Sequence, residues 1–466
     1  MYKINLQLQN NAPETLTEQL YRYLKEELIK GTFNRDDKLP SKRRLAENLQ
    51  CSINTVQAAY NQLVDEGYLQ TREKSGYYVA DLSGIIVLGP DERMPAVDTV
   101  KTPSYLYTFS HHGVDHKQFP FSLWRRLSNQ IISSRDRDLL TISDPKGLLA
   151  LRSSITHYLQ SSRGVHCGTH QIIISSGTEF LMQLLIQLLD EKTVYAIENP
   201  GYEKLTLLFK SNRVQYVSLP LDEQGVALEA LYASGADVLS ITPSHQFPTG
   251  RIMPVTRRLQ LLQWANEKSG RYILEDDYDS EFRYSGKPIP SLQGLDGQGK
   301  VIYLGAFSKS LSPALRISYM VLPEALMERY EAYLSFYYCP VPLIEQKVLH
   351  VFLEKGHFER HLNRMRNLYR QKRELLVSCI NRLLPFVEIA GDSAGLHLLL
   401  YVHNGMDENT LVKRAGNHQV KIYGISRYYS EPPREIKQTT LLMGFATLDL
   451  EEIPKAVSLL KEAWSD

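Results

Sequence analysis

The first 80 residues carry the apolar repeat of short amphipathic helices. Leucine recurs at every fourth position from Leu16 to Leu28, directly after Thr15, and this spacing predicts a helix with one apolar face. Ser41 and Ser52 each precede a further apolar repeat, so we expect each hydroxyl to cap a shorter helix. Two short helices joined by a tight turn, the second with polar residues facing outward, are typical of a helix-turn-helix.

Basic residues and a predicted hairpin surround this motif. The first turn of the second helix consists of Lys42, Arg43 and Arg44. Positive charge there opposes the helix dipole, and a phosphate partner would explain why three basic residues occupy this turn. After the third helix, two alternating runs flank a Ser-Gly turn, which predicts a small wing where Arg72 and Lys74 would touch phosphates. Residues 1–80 are therefore predicted to form a winged helix-turn-helix DNA-binding domain. An ordinary small helical domain is the alternative.

The rest of the chain shows strand and helix patterns in alternation. Glycine and proline break the periodicity between residues 81 and 108, which predicts a linker. From Gln171 to Ser318, short apolar runs alternate with amphipathic stretches, the pattern of a mostly parallel sheet with helices on both faces. Further apolar runs and a last helix from Glu452 to Trp464 predict a small C-terminal α+β domain. The predicted fold class is α/β, with residues 109–466 as the large domain.

Composition excludes some classes of protein. With 43% hydrophobic and 23% charged residues among 466, the chain is globular and long enough for two cores. Its net charge is +1, and residues 1–80 hold 11 basic against 10 acidic residues, so a nucleic-acid surface must be a local patch. No apolar run approaches membrane-spanning length, and four scattered cysteines show no metal-ligand spacing. We expect a cytoplasmic protein with reduced thiols and no metal.

Candidate chemistry begins at Lys309, which follows a buried strand from Val301 to Leu304. An amine held beside apolar groups and a second cation, here Arg316, has a lowered pKa and forms Schiff bases near neutral pH. About thirty residues upstream, another predicted strand ends at Asp276 and Tyr278. A carboxylate can keep the ring nitrogen of a pyridine cofactor protonated, and a phenol can bind its ring hydroxyl.

Two further turns complete the pattern. The residues Ser176, Gly177 and Thr178 lie between a strand and a helix, where backbone N–H groups hold phosphates. Tyr202 follows another strand and could cover the cofactor ring. Each feature alone has an ordinary explanation. Ser176 to Thr178 could be a common turn, Asp276 could be at a solvated strand end, and the ring of Tyr202 could simply pack against its neighbours. Together, in one order and each at the end of an apolar run, they predict one cofactor site.

This order is similar to that of fold-type I aminotransferases, which use pyridoxal 5'-phosphate (PLP). Two longer motifs, Ser-His-Gln-Phe-Pro-Thr-Gly at 244–250 and Glu-Asp-Asp-Tyr-Asp-Ser-Glu-Phe-Arg-Tyr at 275–284, resemble the MocR subfamily of GntR-type transcription regulators, and its GabR-like members in particular. The segments Leu39–Ala46 and Asn54–Tyr60 resemble the GntR winged helix-turn-helix. The resemblance covers nearly the whole chain.

The resemblance implies a role for individual residues. Lys309 would hold PLP as a Schiff base, and the cofactor would also contact Ser176, Gly177, Thr178, Tyr202, Asp276, Tyr278, Ser308 and Arg316. The carboxylate of an effector would bind Arg427 and, as a second basic group, Lys204. DNA would contact Ser41, Lys42, Arg43, Asn54, Thr55, Gln57, Arg72 and Lys74.

Three positions depart from the related sequences. Ile53 stands where GntR regulators usually have arginine, which removes one DNA contact. Ala306 replaces a serine or threonine that helps to bind the cofactor phosphate. Phe247, before the Pro-Thr-Gly turn, replaces the asparagine that binds the ring hydroxyl in aminotransferases. The last two departures disfavour an efficient enzyme.

The resulting hypothesis is a PLP-dependent transcription regulator. A homodimer would bind double-stranded operator DNA and sense an amino compound, γ-aminobutyrate or another small amino acid, through an external aldimine. Such a regulator would carry a vestigial aminotransferase-like domain, with at most a weak transaminase half-reaction. The alternatives are an active aminotransferase that carries a DNA-binding domain and a DNA-binding protein whose large domain only dimerises.

Overall fold

The computed structural model describes residues 4, 6–9, 12–73, 75–82, 104–132, 137–284, 289–431 and 438–465. The chain separates into two compact units, residues 1–102 and residues 103–466. Residues 83–103 of the predicted linker, and Lys74 of the predicted wing, lie outside the described residues. None of the helices in the described ranges is long and apolar enough to cross a membrane.

The N-terminal unit contains three helices followed by a hairpin. Thr15 and Glu18 form the predicted capping box: the Thr15 hydroxyl accepts from the Glu18 backbone N–H (3.3 Å), and the Glu18 carboxylate accepts from the Thr15 backbone N–H (2.8 Å). Ser41 and Ser52 cap the next two helices as predicted. The elements are α1 (Leu16–Ile29), α2 (Lys42–Leu49), α3 (Ile53–Asp65), β1 (Leu69–Arg72) and β2 (Gly76–Val79).

One apolar core holds this unit together. The buried leucines of α1 belong to the same cluster as Val56, Tyr60 and Leu63 of α3. The Tyr60 hydroxyl donates to the carbonyl of Pro40 (3.0 Å), which ties α3 to the residues just before α2. The two helices of the predicted helix-turn-helix are therefore fixed to each other by packing and by a partly buried hydrogen bond.

The C-terminal unit contains the remaining helices and strands. Its helices are α4 (Phe121–Ile132), α5 (Leu149–Arg163), α6 (Thr178–Leu188), α7 (Glu203–Ser211), α8 (Leu228–Ala233), α9 (Val255–Asn266), α10 (Glu324–Tyr333), α11 (Leu343–Glu354), α12 (His357–Leu383), α13 (Glu408–Asn417) and α14 (Glu452–Trp464). Its strands are β3 (Tyr107–Thr108), β4 (Ile172–Ser175), β5 (Val194–Asn199), β6 (Gln215–Asp222), β7 (Gly225–Val226), β8 (Val238–Ile241), β9 (Tyr272–Asp277), β10 (Val301–Ala306), β11 (Ser318–Val321), β12 (Val387–Ala390), β13 (His397–Val402), β14 (Val420–Lys421), β15 (Tyr423–Gly424) and β16 (Thr439–Gly444).

The large sheet has the predicted mostly parallel arrangement. Its strand order is β4-β11-β10-β9-β8-β5-β6-β7, and β11 and β7 run antiparallel to their neighbours. Along β10, Ile302 and Leu304 enter a cluster with α6 and α10, whereas Tyr303 enters a cluster with α5 and α12. Because successive side chains of a strand point to opposite faces, helices cover both faces of the sheet.

A second sheet forms the C-terminal part of this unit. Its order is β12-β13-β16-β15, and α14 occupies the residues predicted for the closing helix. A two-stranded parallel pair joins β3 to β14. The long basic helix predicted from Phe358 to Leu384 is α12, one residue earlier at each end.

One lysine of α12 is buried rather than solvated. The Lys372 ammonium donates to the Asp115 carboxylate (2.7 Å) and to the Ala446 carbonyl (2.9 Å), and Lys372 is only 1% exposed. The Tyr369 hydroxyl accepts from the Asp115 backbone N–H (3.0 Å). These bonds anchor the segment from His111 to Asp115, which contributes to the functional site.

We expect Lys372→Met to lower the free energy of unfolding by about 3 to 5 kcal/mol, because the Asp115 carboxylate would remain buried without its cation. Urea unfolding followed by circular dichroism measures this change. Lys117→Met is the matched control, since Lys117 pairs with Asp449 at the surface, and its unfolding midpoint should not move. Equal effects of the two substitutions would contradict the prediction.

Candidate functional site

Lys309 lies three residues beyond the end of β10. Its amine donates to the backbone carbonyl of His111. Burial lowers the pKa of Lys309 to about 8, although the nearby Asp279 carboxylate raises it. The lowered pKa and one of its two predicted causes, the apolar surroundings, are confirmed; the second, Arg316, is paired with Glu179 (2.9 Å) and does not contribute to the shift.

The turn from Ser176 to Thr178 joins β4 to α6 beside Arg316. Gly177 has a φ of 99°, and a Cβ there would lie 2.0 Å from Nη2 of Arg316, so only glycine fits. A guanidinium and the N-terminus of α6 therefore meet at this turn. Both favour an anion, and the Glu179 carboxylate is the anion that Arg316 binds here.

Asp276 is the last residue but one of β9, and Tyr278 directly follows this strand. The parallel register places Asp276 opposite Leu304, so β9 and β10 end at the same edge of the sheet. Burial, and to a smaller extent the Asp277 and Asp279 carboxylates, raise the pKa of Asp276 to about 7. Within the described ranges, no group donates a hydrogen bond to the Asp276 carboxylate. A cation beside it would restore its ionised form.

The neighbouring carboxylate has a different role. Asp277 accepts from the Arg163 guanidinium (2.7 Å) and from the Tyr303 hydroxyl (2.5 Å), deep in the unit. The charge of the Asp277 carboxylate is therefore compensated by Arg163 within the fold, whereas Asp276 faces a cavity.

Tyr278 rests on a buried group of polar residues. Its hydroxyl donates to the His245 carbonyl (3.0 Å), and Nδ1 of His245 lies 3.0 Å from the Asp279 carboxylate. His245, Asp279 and His397 each offer one possible metal-ligand atom, and these three atoms lie within 4.8 Å of one another, a spacing that suits a metal ion. Protein groups already contact these side chains, since Nε2 of His397 donates to the Pro248 carbonyl (3.1 Å). We interpret the group as a support for Tyr278.

A cavity of about 240 Å³ opens at this edge of the sheet. Tyr202 forms part of its wall and meets Phe247 edge to face, with 6.0 Å between ring centroids. The cavity brings together most of the predicted cofactor and effector residues, namely Gly177, Thr178, Tyr202, Lys204, Asp276, Tyr278, Ser308, Lys309 and Arg316. Ser176 contributes only its carbonyl, 3.4 Å from Arg316, and Arg427 is not among the lining residues.

The chain's own carboxylates pair with both predicted effector-binding cations. The Arg427 guanidinium donates to the Glu203 carboxylate through Nη2 (2.9 Å) and Nε (3.3 Å). The Lys204 ammonium lies 3.6 Å from the Glu179 carboxylate. A ligand carboxylate that binds Arg427 in the predicted way would therefore compete with Glu203.

Two histidines in the cavity wall were not predicted. Burial, and to a smaller extent nearby cations, lower the pKa of His111 to about 2 and that of His112 to about 4, so both rings are neutral near pH 7. Nε2 of His111 lies 3.1 Å from the Tyr428 hydroxyl, beside Arg427. No pattern in the sequence indicated these residues, since 198 positions separate His111 from Lys309.

The predicted DNA-binding residues divide into two groups. Arg43 and Asn54 are exposed in the first turns of α2 and α3. Others already make contacts within the unit: the Ser41 hydroxyl caps α2, Lys42 contacts the Gln57 amide, and Arg72 pairs with Asp36. The Thr55 hydroxyl lies 2.8 Å from that of Ser52. The assignment of these residues to DNA stays a prediction.

Ile53 is the first residue of α3, and 46% of its surface is exposed. An apolar side chain therefore stands at the start of the predicted recognition helix, where an arginine would present five N–H donors. Any base contact there depends on apolar surface rather than on hydrogen bonds.

Two protein families match separate parts of the chain. Residues 16–79 match the bacterial regulatory proteins of the gntR family, and residues 114–457 match aminotransferase class I and II. The first match contains α1 to β2, and the second contains the large sheet with the cavity.

Two relatives match the chain over nearly its whole length, and a solved structure matches most of it. The uncharacterized HTH-type transcriptional regulator YdeL of Bacillus subtilis is 39% identical over 455 residues, which cover 96% of each chain. The probable rhizopine catabolism regulatory protein MocR of Rhizobium meliloti is 33% identical over 476 residues, covering 98% of this chain and 96% of its own. The kynurenine aminotransferase of Pyrococcus horikoshii, solved in complex with PMP, shares 25% identity with a TM-score of 0.68, over 78% of this chain and 91% of that chain. The chain therefore belongs to the MocR-type HTH transcriptional regulators, in which a gntR family domain precedes an aminotransferase class I and II domain.

Proposed function

We propose that this regulator binds PLP and uses it to sense a small amino compound rather than to transaminate one. One observation carries the proposal: a single cavity holds a buried amine with a pKa of about 8, Lys309, and a carboxylate to which none of the described residues donates a hydrogen bond, Asp276. PLP, when bound, supplies an aldehyde whose Schiff base can be exchanged between a lysine and a free amine.

The residues around the cavity fit this cofactor. Asp276 would pair with the ring nitrogen and Tyr278 with the ring hydroxyl, while Tyr202 would cover the ring. The phosphate would take the place of Glu179 beside Arg316 and the N-terminus of α6, where Gly177 leaves room for it.

Lys204 in the cavity wall and Arg427 close to it fit an amine that carries a carboxylate. Arg427 presents a planar fork suited to two parallel hydrogen bonds, and Lys204 supplies a second positive charge. The Glu203 carboxylate binds Arg427, so an effector carboxylate that binds Arg427 would displace it. Because Glu203 is the first residue of α7, this exchange would release the first turn of α7 from Arg427. We infer a small amino acid as the effector, with γ-aminobutyrate as one candidate.

Binding at this cavity would then change DNA occupancy. A coupling free energy of about 1 to 3 kcal/mol changes affinity roughly 5- to 150-fold, which is enough for regulation. We infer a homodimer that binds double-stranded operator DNA in the cytoplasm.

The turn that contains Phe247 supports a regulator over an enzyme. The Gln246 side chain braces its own turn, because its amide donates to the Pro200 carbonyl (3.0 Å) and its oxygen accepts from the Thr249 backbone N–H (3.1 Å). The next residue, Phe247, offers the cavity an apolar ring instead of an amide. The ring hydroxyl of PLP would therefore lack one hydrogen bond that aminotransferases supply, which disfavours rapid turnover.

Lys309→Ala tests the proposal. We expect this variant to lose the visible absorption of bound PLP and every response to amines, but to keep its affinity for a duplex selected from random DNA. Absorption spectra and electrophoretic mobility shifts measure the two properties, and Lys300→Ala should behave as the wild type. Conversion of an amine to a carbonyl product at about 1 per second or faster would identify an aminotransferase instead. A colourless wild type would leave a DNA-binding protein whose large domain only dimerises.

The pKa of Lys309 predicts how PLP uptake depends on pH. Only the neutral amine attacks an aldehyde, so the uptake rate should rise between about pH 6 and about pH 9, with a midpoint near 8. Stopped-flow absorbance with cofactor-free protein measures this rate. Asp279→Asn should lower the midpoint, because the Asp279 carboxylate raises the pKa of Lys309. A rate independent of pH would contradict the prediction.

Glu203→Gln should tighten the binding of γ-aminobutyrate severalfold, because a neutral amide competes less well for the Arg427 guanidinium. Arg427→Gln should weaken it by about 10- to 100-fold, as expected for lost hydrogen bonds to a charged group. Titrations followed by PLP absorbance measure both effects. Butylamine, which has the same chain length without the carboxylate, is the control ligand, and its affinity should not change. Equal effects on both ligands would count against Arg427 as the carboxylate site.

A further inference from the structure

Ser318 lies directly opposite Ala306 in the large sheet. β10 and β11 are antiparallel neighbours, and their register pairs Ala306 with Ser318. Side chains of directly opposed residues lie on the same face, with Cβ atoms about 4.5 to 5.5 Å apart. Both residues line the cavity that contains Lys309. A hydroxyl is therefore present beside the position where Ala306 lacks one.

The hydroxyl of Ser318 has no partner within the described part of the protein. Ser318 is 1% exposed, and its Oγ is buried without a hydrogen bond. Its strand lies between β4 and β10 and pairs with both. Such a buried hydroxyl is unfavourable unless a ligand satisfies it, since it has given up its hydrogen bonds to water.

The charges nearby indicate which ligand would satisfy it. Arg316 lies two residues before Ser318, and Gly177 and Thr178 at the N-terminus of α6 line the same cavity. A guanidinium and a helix N-terminus both favour an anion with several acceptor oxygens. A hydroxyl in this surrounding acts as a donor, and a phosphate offers it an acceptor.

We infer that Ser318 donates a hydrogen bond to the phosphate of bound PLP and so supplies, from the neighbouring strand, the hydroxyl that Ala306 lacks. The inference rests on the proposed binding of PLP. It assigns Ser318 to the binding of the cofactor and gives it no part in the chemistry at Lys309.

Binding of PLP and of pyridoxal, which lacks the phosphate, tests the role of Ser318. We expect Ser318→Ala to weaken PLP about tenfold, as for one hydrogen bond to a charged group, and to leave pyridoxal unchanged. Ala306→Ser in the Ser318→Ala background should recover most of the lost affinity. Dissociation constants from absorbance titrations and the ³¹P chemical shift of the bound phosphate provide readouts that require no turnover.

Ser310 provides a matched control. It is also 1% exposed with a buried Oγ that lacks a partner, but it does not line the cavity. Ser310→Ala should therefore leave the affinity for PLP unchanged. Because each change removes one buried hydroxyl, urea unfolding of both variants separates an effect on protein stability from an effect on binding of the PLP phosphate.

The outcomes distinguish this inference from the proposed function. If the wild type binds PLP and Ser318→Ala binds it equally well, the role of Ser318 is overturned and the proposed function stands. Equal weakening of PLP and pyridoxal, or an equal effect of Ser310→Ala, also overturns it. If the wild type binds neither compound, both proposals fail together.

Discussion

The parallel pairing of β8, β9 and β10 is the constraint on which the functional site depends. Parallel strands end at the same edge of a sheet, so residues distant in the chain meet there. The register of β9 against β10 brings Asp276 and the segment that leads to Lys309 to one cavity. Helices on both faces of the sheet hold this register, because Ile302 and Leu304 of β10 are buried against helices on one face and Tyr303 against helices on the other.

Charge pairing divides the polar residues of the C-terminal unit into two groups. Asp277 and Lys372 are buried with partners of opposite charge, and they fix strands and segments in place. Among the described residues, Lys309 and Asp276 have no such partner, and burial shifts the pKa of each toward its neutral form. The second group faces the cavity. A ligand that supplies the missing charges and hydrogen bonds gains interactions that the fold leaves open.

The N-terminal unit illustrates how a nearly neutral domain can bind DNA. Its own core fixes α2 and α3, and local caps set where each helix begins. Exposed arginines occupy the first turn of α2, so positive charge is concentrated at this end of the helix, although residues 1–80 carry a net charge of only +1. An exposed Ile53 on α3 makes the predicted recognition surface partly apolar.

Local features of the sequence determined where many helices begin and strands end in this protein. Caps such as Thr15 and Ser52 marked helix starts, and apolar runs ending in Asp276 or before Lys309 marked strand ends, because these signals depend only on neighbouring residues. Only the tertiary structure decided which distant residues meet. A strand pattern gives the buried face but not the partner strand, so Ser318 opposite Ala306 could not be predicted. The burial of Lys372 and the contact of His111 with Lys309 likewise join segments far apart in the chain, and only packing decides such contacts.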